Sequence, residues 1–485
     1  MKMRVLGPAG LIMLLVLSGM IARAQWINGQ NADLVLGQKD FTGSSPGLAA
    51  DSLMTPTGVA IDPTTGKLFV ADIGNDRVLR WGSVASLVSG EPAEAVFGQP
   101  DFTTKGERTT QDGMDFPTDV AVDRDGRLYV ADALNNRVLR FDSASWKPSG
   151  ATADGVLGQP DFTSNTKAVT RSGMEYVRGL TVDDAGRLWV SDQRNNRILR
   201  FDNVANKPNG ADADGVLGQP DFTSKIADTS QSGMAQPRGL WVDEAGRLWV
   251  AVTFINRVMR FDEAAGKPNG ANADAVLGQP DFTSSAADTS ASGMHRPSGI
   301  AMDQSGRLYV GDFYNNRVLW YDNAAGKPNG DPADGVLGQP DFTSATAATT
   351  ENGMSIPWGL TIDREHNTLW VSDVGNNRVL RFTATVPLPV ETEGGQRPDR
   401  FGLLQNYPNP FNPSTAIGYE IPERAHVCLT IYTVMGEEVA TLVDGVRGAG
   451  YGTAQFNAAG LASGVYFYRL RAGGRSATKM MLLTR

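Results

Sequence analysis

From residue 119 to residue 141 the apolar positions come in three short bursts. DVAVD at 119–123, RLYVAD at 127–132 and RVLRF at 137–141 either alternate apolar residues with others or are β-branched and aromatic. A two-residue period sends successive side chains to opposite faces of an extended chain, so each burst predicts a strand. The first two are joined by RDG, with DAG at 184–186 and QSG at 304–306 in equivalent places, which is tight-hairpin chemistry. A fourth apolar burst sits inside the phrase DGVLGQPDFTS, which stands at 154–164, 214–224 and 334–344, with close variants starting at 33, 94 and 274. The step between copies is 60 residues, once 61. Each period therefore predicts four short antiparallel strands, and no helical pattern intervenes.

Four strands per period, repeated, are the sign of a β-propeller, in which each blade buries its faces against its neighbours. Six strand triplets are present. They begin near Pro56, Pro117, Val177, Pro237, Pro297 and Pro357 and end at Trp81, Phe141, Phe201, Phe261, Tyr321 and Phe382. Six VLGQ-type strands are also present, displaced by one: Leu34 to Gln38 precede the first triplet, and nothing of the kind follows the sixth. Pairing the two orphans closes a ring and removes the exposed edges that an open arc would leave. An open solenoid, the alternative, would need end caps that the sequence lacks.

The repeat unit, as in Val177 to Phe201 with Val177 where its siblings carry proline, resembles the NHL repeat of six-bladed propellers over roughly residues 31–383. That resemblance implies a fold more than a function, because such propellers serve as lyases, as lactonase-like hydrolases and as pure binding modules.

Charge and leader narrow the setting. A net charge of -9 and the lack of a Lys/Arg-rich run argue against a nucleic-acid partner. The one cysteine, Cys428, allows no intramolecular disulfide and reads as a small strand hydrophobe. Met1 to Arg4 form a positive start, Leu11 to Ala22 an apolar run, and Ala22-Arg23-Ala24 a small-x-small cleavage site, so residues 1–24 are expected to be a signal peptide. No later stretch is apolar enough to span a bilayer. The mature chain is expected to be exported and monomeric.

Repeated residues have structural readings. Asp132 and its equivalents Asp72, Asp192, Asp312 and Asp373 end the second strand, where the carboxylate is expected to accept amides of the following turn. Asn135-Asn136 and their kin suit left-handed geometry, and Arg137, Arg197, Arg257 and Arg317 are expected to tie to carboxylates or carbonyls of the neighbouring blade. The Asp-, Asn- and Gly-rich connections of the opposite rim, such as FDNAAGKPNGADAD, match no EF-hand loop and read as turns.

Breaks in the repetition carry the candidate site. The fourth repeat reads AVTFINRV, placing Val252 where siblings have the acid and Phe254 and Ile255 in the turn. The fifth has Phe313-Tyr314 there, and the sixth opens its inner strand with Trp358 where the others carry Thr57, Thr118, Arg178, Arg238 and Ser298. The pairs just before the inner strand also vary: Asp115-Phe116, Glu175-Tyr176, Ala235-Gln236, His295-Arg296 and Ser355-Ile356. The links leading to those pairs are long, suggesting built-up loops on that face. A cleft on this face edged by Phe254, Ile255, Phe313, Tyr314 and Trp358, with Arg178, Arg238, His295 and Arg296 near it, is the expected ligand site, suited to glycan, peptide or protein.

The rival reading is an enzyme, a propeller lyase or lactonase-like hydrolase with a divalent metal in the central channel. His295, His366 and His426 are too few and too scattered for a multi-histidine zinc centre. A calcium ion held by Asp119 and Glu175 is the form this alternative takes, and the expected cofactor is otherwise none. No GxSxG, HExxH or Cys/His pair appears.

After Phe382 the period stops, and residues 384–402 read as a linker. Strands are expected near 416–421, 427–432, 438–442, 453–456, 465–470 and 477–483, which suits a small sandwich. LLQNYPNPFNPST at 403–415, MGEEVATLVDG at 435–445 and LASGVYFYRLRAG at 461–473 resemble the type A C-terminal sorting domain of the type IX secretion system. The resemblance implies that 403–485 engage that machinery and take the protein to the cell surface or the medium. The expected whole is all-β: a signal peptide at 1–24, a six-bladed NHL-type propeller at 25–383 closed by its N-terminal strand, a linker, and an immunoglobulin-like β-sandwich at 403–485. Its extracellular ligand cannot be named from the sequence.

Overall fold

The computed structural model describes residues 26–384 and 400–484, apart from 407, 408, 410, 412 and 459. The expected signal peptide and most of the expected linker lie outside the described residues. The chain separates into two compact units, of which one is Trp26–Ala384.

That unit is a ring of six four-stranded antiparallel sheets. In the second blade the inner strand is Pro117–Val122, followed outward by Leu128–Asp132, Arg137–Phe141 and Gly155–Leu157, and the other blades repeat this plan. Each third strand ends in a fully buried aromatic, Trp81, Phe141, Phe201, Phe261, Tyr321 or Phe382. Burying one such side chain stabilises by roughly 1.5–3 kcal/mol, so each blade has its own hydrophobic anchor.

The sixth blade closes as the displaced phrase requires. Leu34–Leu36 pairs with the third strand, Leu34 opposite Arg381, Val35 opposite Leu380 and Leu36 opposite Val379. An ion pair between Arg381 and Asp33 at 2.6 Å and a bond from Gln30 Nε2 to the Thr383 carbonyl extend the pairing.

A second seam feature comes from the same closure. In blades one to four an arginine of the third strand reaches a carbonyl in the turn of the next blade, as Arg140 Nη1 does to Ala205 O at 2.7 Å. The fifth blade carries Trp320 where blades one to four carry that arginine, and Trp320 shares a buried core with Trp26 from the N-terminal segment.

In five of the six blades the recurrent Asp and Arg residues form one buried unit. Asp132 accepts from Arg137 Nε at 2.8 Å, from Asn135 Nδ2 at 2.9 Å and from the amide of Asp115 at 2.7 Å. The expected amide donors of the following turn are thus replaced by one from the residue that leads into the inner strand; the turn contributes its asparagine side chain instead. Arg137 goes on to the carbonyls of Phe162, Thr110 and Gly113 in the long links. The ion pair is therefore internal to the blade, and the carbonyls are what bind the links down. Asn136 takes the left-handed conformation at φ 53°, and its Oδ1 accepts the amide of Tyr176 at 2.9 Å.

Inner strands approach each other by backbone. A Cβ on Gly179 would stand 1.8 Å from the Arg238 carbonyl, and one on Gly359 2.1 Å from that of Thr57, so only glycine fits there. Asp119 holds the equivalent place in the second blade. Its Oδ2 accepts the amide of Leu180 in the next blade at 2.8 Å, and its Oδ1 that of Val120 at 2.9 Å.

The second unit pairs Gly402–Leu403, Ser414–Ile421 and Gly450–Asn457 in one sheet. The other contains, in order, Glu438–Arg447, Ala425–Thr433, Gly464–Ala472 and Arg475–Leu483. All six expected strands are present, most of them longer. Buried side chains of both sheets, among them Ile417, Phe456, Leu429 and Tyr468, form its core. Tyr468 Oη accepts the amide of Asn406 at 2.8 Å and donates to the Leu404 carbonyl at 2.9 Å, which anchors the start of the LLQN motif. Cys428 is half-buried and unpaired by any disulfide, with Thr430 Oγ1 3.4 Å from its sulfur.

Candidate functional site

Six residues lead into the six inner strands, and all six have left-handed backbones although none is glycine: Thr55, Phe116, Tyr176, Gln236, Arg296 and Ile356, with φ between 51° and 62°. Such conformations are costly for large or β-branched residues and persist where neighbours over-determine them. Here a side-chain oxygen of the preceding blade accepts the amide, an asparagine carboxamide in five cases, as Asn256 Oδ1 accepts that of Arg296 at 2.8 Å, and the Asp76 carboxylate for Phe116 at 3.0 Å.

The side chains so placed build a continuous layer of arginines and aromatics. Arg178 lies over the rings of Phe116, Tyr176 and Trp358 at 5.6, 4.7 and 4.8 Å. Arg238 lies over Trp358 at 4.4 Å and over Phe313 at 5.5 Å. Phe313 stands edge-on to Trp358 at 5.2 Å and to Tyr314 at 4.7 Å, and Tyr314 meets the His295 ring at 4.9 Å. Arg296 covers Phe254 at 4.4 Å and Tyr314 at 5.1 Å. Cation–π contacts of this kind strengthen when desolvated.

A cavity of about 410 Å³ runs along the inner strands. It reaches the hairpin turns at Thr64, Arg124, Asp184 and Arg364 on one rim, and its far end is lined by Arg178, Arg238, Ser298 and Trp358. The expected cleft on the loop-rich face thus divides in two. Arg178, Arg238 and Trp358 line the channel, whereas Phe254, His295, Arg296, Phe313 and Tyr314 flank it. Phe254 and Tyr314 are about two-fifths exposed, but Phe313 is nearly buried at 9%.

Ile255 does not face a ligand site. It is 5% exposed and packs in the core of the fourth blade with Val252. Both replace members of the Asp–Asn–Arg unit, so Arg257 keeps its four bonds to carbonyls of Thr229, Phe282, Ser230 and Gly233 but has no carboxylate. Burial pulls its pKa down to about 10.

Asp119 and Glu175 do not converge. Asp119 lines the cavity, both of its oxygens accept amides, and burial raises its pKa to about 7. Glu175 instead faces three cations, Lys167 at 3.6 Å and Arg194 and Lys225 at 3.9 Å. With their oxygens so engaged the two residues do not fit a calcium cage, and among the described residues no group of three or more His, Cys, Asp or Glu is arranged to hold a metal.

Phe116 and Tyr176, expected at the channel mouth but not as ligand residues, join the layer, and Arg194, 4.4 Å over the Tyr176 ring, was not expected there. Phe116 and Tyr176 are visible in the sequence as departures before the inner strand. Arg194 carries only the weaker signal of varying within the turn.

The fold and this layer define a β-propeller with a ligand-sized channel. Residues 114–141, 294–321 and 354–382 match the NHL repeat, and residues 405–484 match the secretion system C-terminal sorting domain. The chain thus carries NHL repeats joined to an export-sorting module, which marks it for secretion or the cell surface. It is 24% identical over 394 residues to NHL repeat-containing protein 2 of Homo sapiens, covering 72% of this chain and 49% of that one. It is 23% identical over 298 residues to human Teneurin-1, covering 54% of this chain and 10% of the other. The chain therefore spans about half, or much less, of the curated relatives it matches. Among solved structures, PorZ, a surface component of the type-IX secretion system of Porphyromonas gingivalis, aligns over 91% of this chain and 60% of its own, at 14% identity and TM-score 0.42. Virginiamycin B lyase from Staphylococcus aureus aligns over 72% and 97%, at 13% identity and TM-score 0.40. Among the described residues no helix is long and apolar enough to cross a membrane.

Proposed function

We propose that this exported propeller is a binding module, delivered by its sorting domain through the type IX machinery, and that its ligand seats on the arginine–aromatic layer. The observation that carries the reading is the continuity of that layer. Side chains from five successive blades, Phe116 in the second to Trp358 in the sixth, stack without interruption at one end of the channel. Exposed flat surfaces with a few charged groups suit a saccharide or a peptide. Enzymatic candidates are weaker, because the one channel-lining carboxylate of the inner-strand glycine ring spends its oxygens on backbone amides.

Glycan and peptide arrays probed with the full mature chain test this. The expected result is binding that falls at least tenfold in Phe254→Ala and Tyr314→Ala, whose rings are about two-fifths exposed, with the ring's thermal transition of each variant measured alongside. Unchanged binding in both variants would overturn the reading, as would turnover of lactone or glycoside substrates that depends on a stoichiometric metal.

A further inference from the structure

The second residues of the six inner strands form one layer across the channel: Thr57, Thr118, Arg178, Arg238, Ser298 and Trp358. Two of the small ones serve the seams between blades. Thr118 Oγ1 donates to the Val177 carbonyl at 2.8 Å, and Ser298 Oγ to the Pro357 carbonyl at 3.0 Å. In the two blades that carry arginine the seam hydroxyl comes from elsewhere. Ser191 Oγ donates to the Arg238 carbonyl at 2.6 Å, and Thr253 Oγ1 to the Pro297 carbonyl at 2.8 Å. The seams are thus bonded without the arginine side chains, which are free to project into the cavity.

Their own hydrogen-bonding capacity is largely unused. Among the described residues Arg178 donates only to Tyr176 Oη, at 2.9 Å, and its Nε and Nη1 have no partner. Nε and Nη1 of Arg238 are likewise buried and unpartnered. Arg178 is 9% exposed. Among the described residues no carboxylate is paired with either one, whereas Arg137 and Arg197 each bond four acceptors and Arg77 and Arg317 five. Burial first, then the nearby charges of Arg178 and Arg296, pull the pKa of Arg238 down to about 9. Two guanidinium groups set over one tryptophan ring, with most of their surface taken out of water and no counter-ion, are unfavourable unless something anionic joins them. Their forked donors match planar or tetrahedral oxyanions.

We propose that Arg178 and Arg238 are an oxyanion clamp at the Trp358 end of the channel, taking a carboxylate or sulfate group of the ligand. This deepens the binding reading above by assigning the ligand a negative group and a fixed point of attachment. The acids at the opposite mouth are already engaged: Asp183 with Arg187, Asp363 with His366, and Asp184 with Arg124.

The test is thermal unfolding of the full mature chain titrated with sodium glucuronate and with sodium sulfate, against glucose and against sodium chloride at matched ionic strength. A saturable rise of at least 2 °C in the ring transition is expected with one or both oxyanions and with neither control. Which oxyanion acts distinguishes a carboxylate from a sulfate ligand. Arg178→Gln and Arg238→Gln should each abolish the saturable part, while Arg364→Gln at the other mouth keeps it. Arg238→Met, which removes the unpartnered donors together with the charge, should unfold at a higher temperature than the anion-free parent. An unsaturable rise shared by both Gln variants, or a glucose effect equal to that of glucuronate, overturns the clamp. Array binding that survives Arg238→Gln would sink the clamp and leave the binding module standing; an oxyanion shift without any array ligand would do the reverse.

Discussion

Val252 and Arg257 stand directly opposite each other across the second and third strands of the fourth blade. At that register the other five blades place an aspartate opposite an arginine. One buried guanidinium has therefore lost its carboxylate while keeping its carbonyl acceptors. Val252 and Ile255 changed together because the asparagine of the intact unit donates to the aspartate, as Asn195 does to Asp192 at 2.8 Å, and would be stranded without it.

The cost of deleting the arginine should differ between blades. Arg137→Met leaves Asp132 charged and buried, which is expected to destabilise by about 3–5 kcal/mol. Arg257→Met strands no charge and should cost clearly less. Denaturant unfolding of the two variants, followed on the ring transition, measures the difference; equal costs would refute the account.

Asp119 should give the ring a pH dependence of unusual sign for a carboxylate. Its folded pKa of about 7 lies above the ordinary 3.8, so it binds a proton more tightly in the native state. Its contribution to stability is full below about pH 4 and is lost as pH rises toward 7, with a slope of up to about 1.4 kcal/mol per pH unit. Asp119→Gly, the residue of the sibling blades, should reduce the slope of transition temperature between pH 4 and pH 7, the remainder coming from Asp115, Asp192 and Asp373, which burial raises to about 6. A profile of unchanged slope contradicts this assignment.

The closing strand should matter as much as any central one. Val35 is fully buried, and Val35→Asp places a charge in the core of the sixth blade. The ring transition is expected to fall by about 3 kcal/mol or more, while that of the sorting domain stays where it was. Calorimetry of the full chain separates the two.

In the sorting domain the Tyr468 hydroxyl serves two backbone groups at once. Tyr468→Phe leaves the Asn406 amide and the Leu404 carbonyl without it, at an expected cost of about 1–3 kcal/mol to that unit. Reduced export of the variant, with the ring transition unmoved, is the corresponding cellular readout.

Much of this architecture was legible in the residues because each strand is short, alternating and bounded by turns, and because the VLGQ strand of 34–38 had no other place to pair. Three things were not legible. The partner of the Asp132 carboxylate lies 17 positions upstream, at Asp115, a separation no local pattern announces. Ile255 looked ligand-facing by its place in a turn, yet its neighbour Val252 turned that turn into core. Arg178 and Arg238 were recognised as candidates, but their seating on Trp358 depends on positive-φ residues and on seam hydroxyls at Ser191 and Thr253, which only coordinates reveal.

The pairing of Asp33 with Arg381 spans 348 positions of chain. Topologies dominated by such remote partners fold slowly, since a large entropy must be surrendered before the final bond rewards it. Until Arg381 is in place the ribbon beside Asp33 has no strand to mate with, so the sixth sheet is the last of the ring to be finished, after the other five have all their strands at hand.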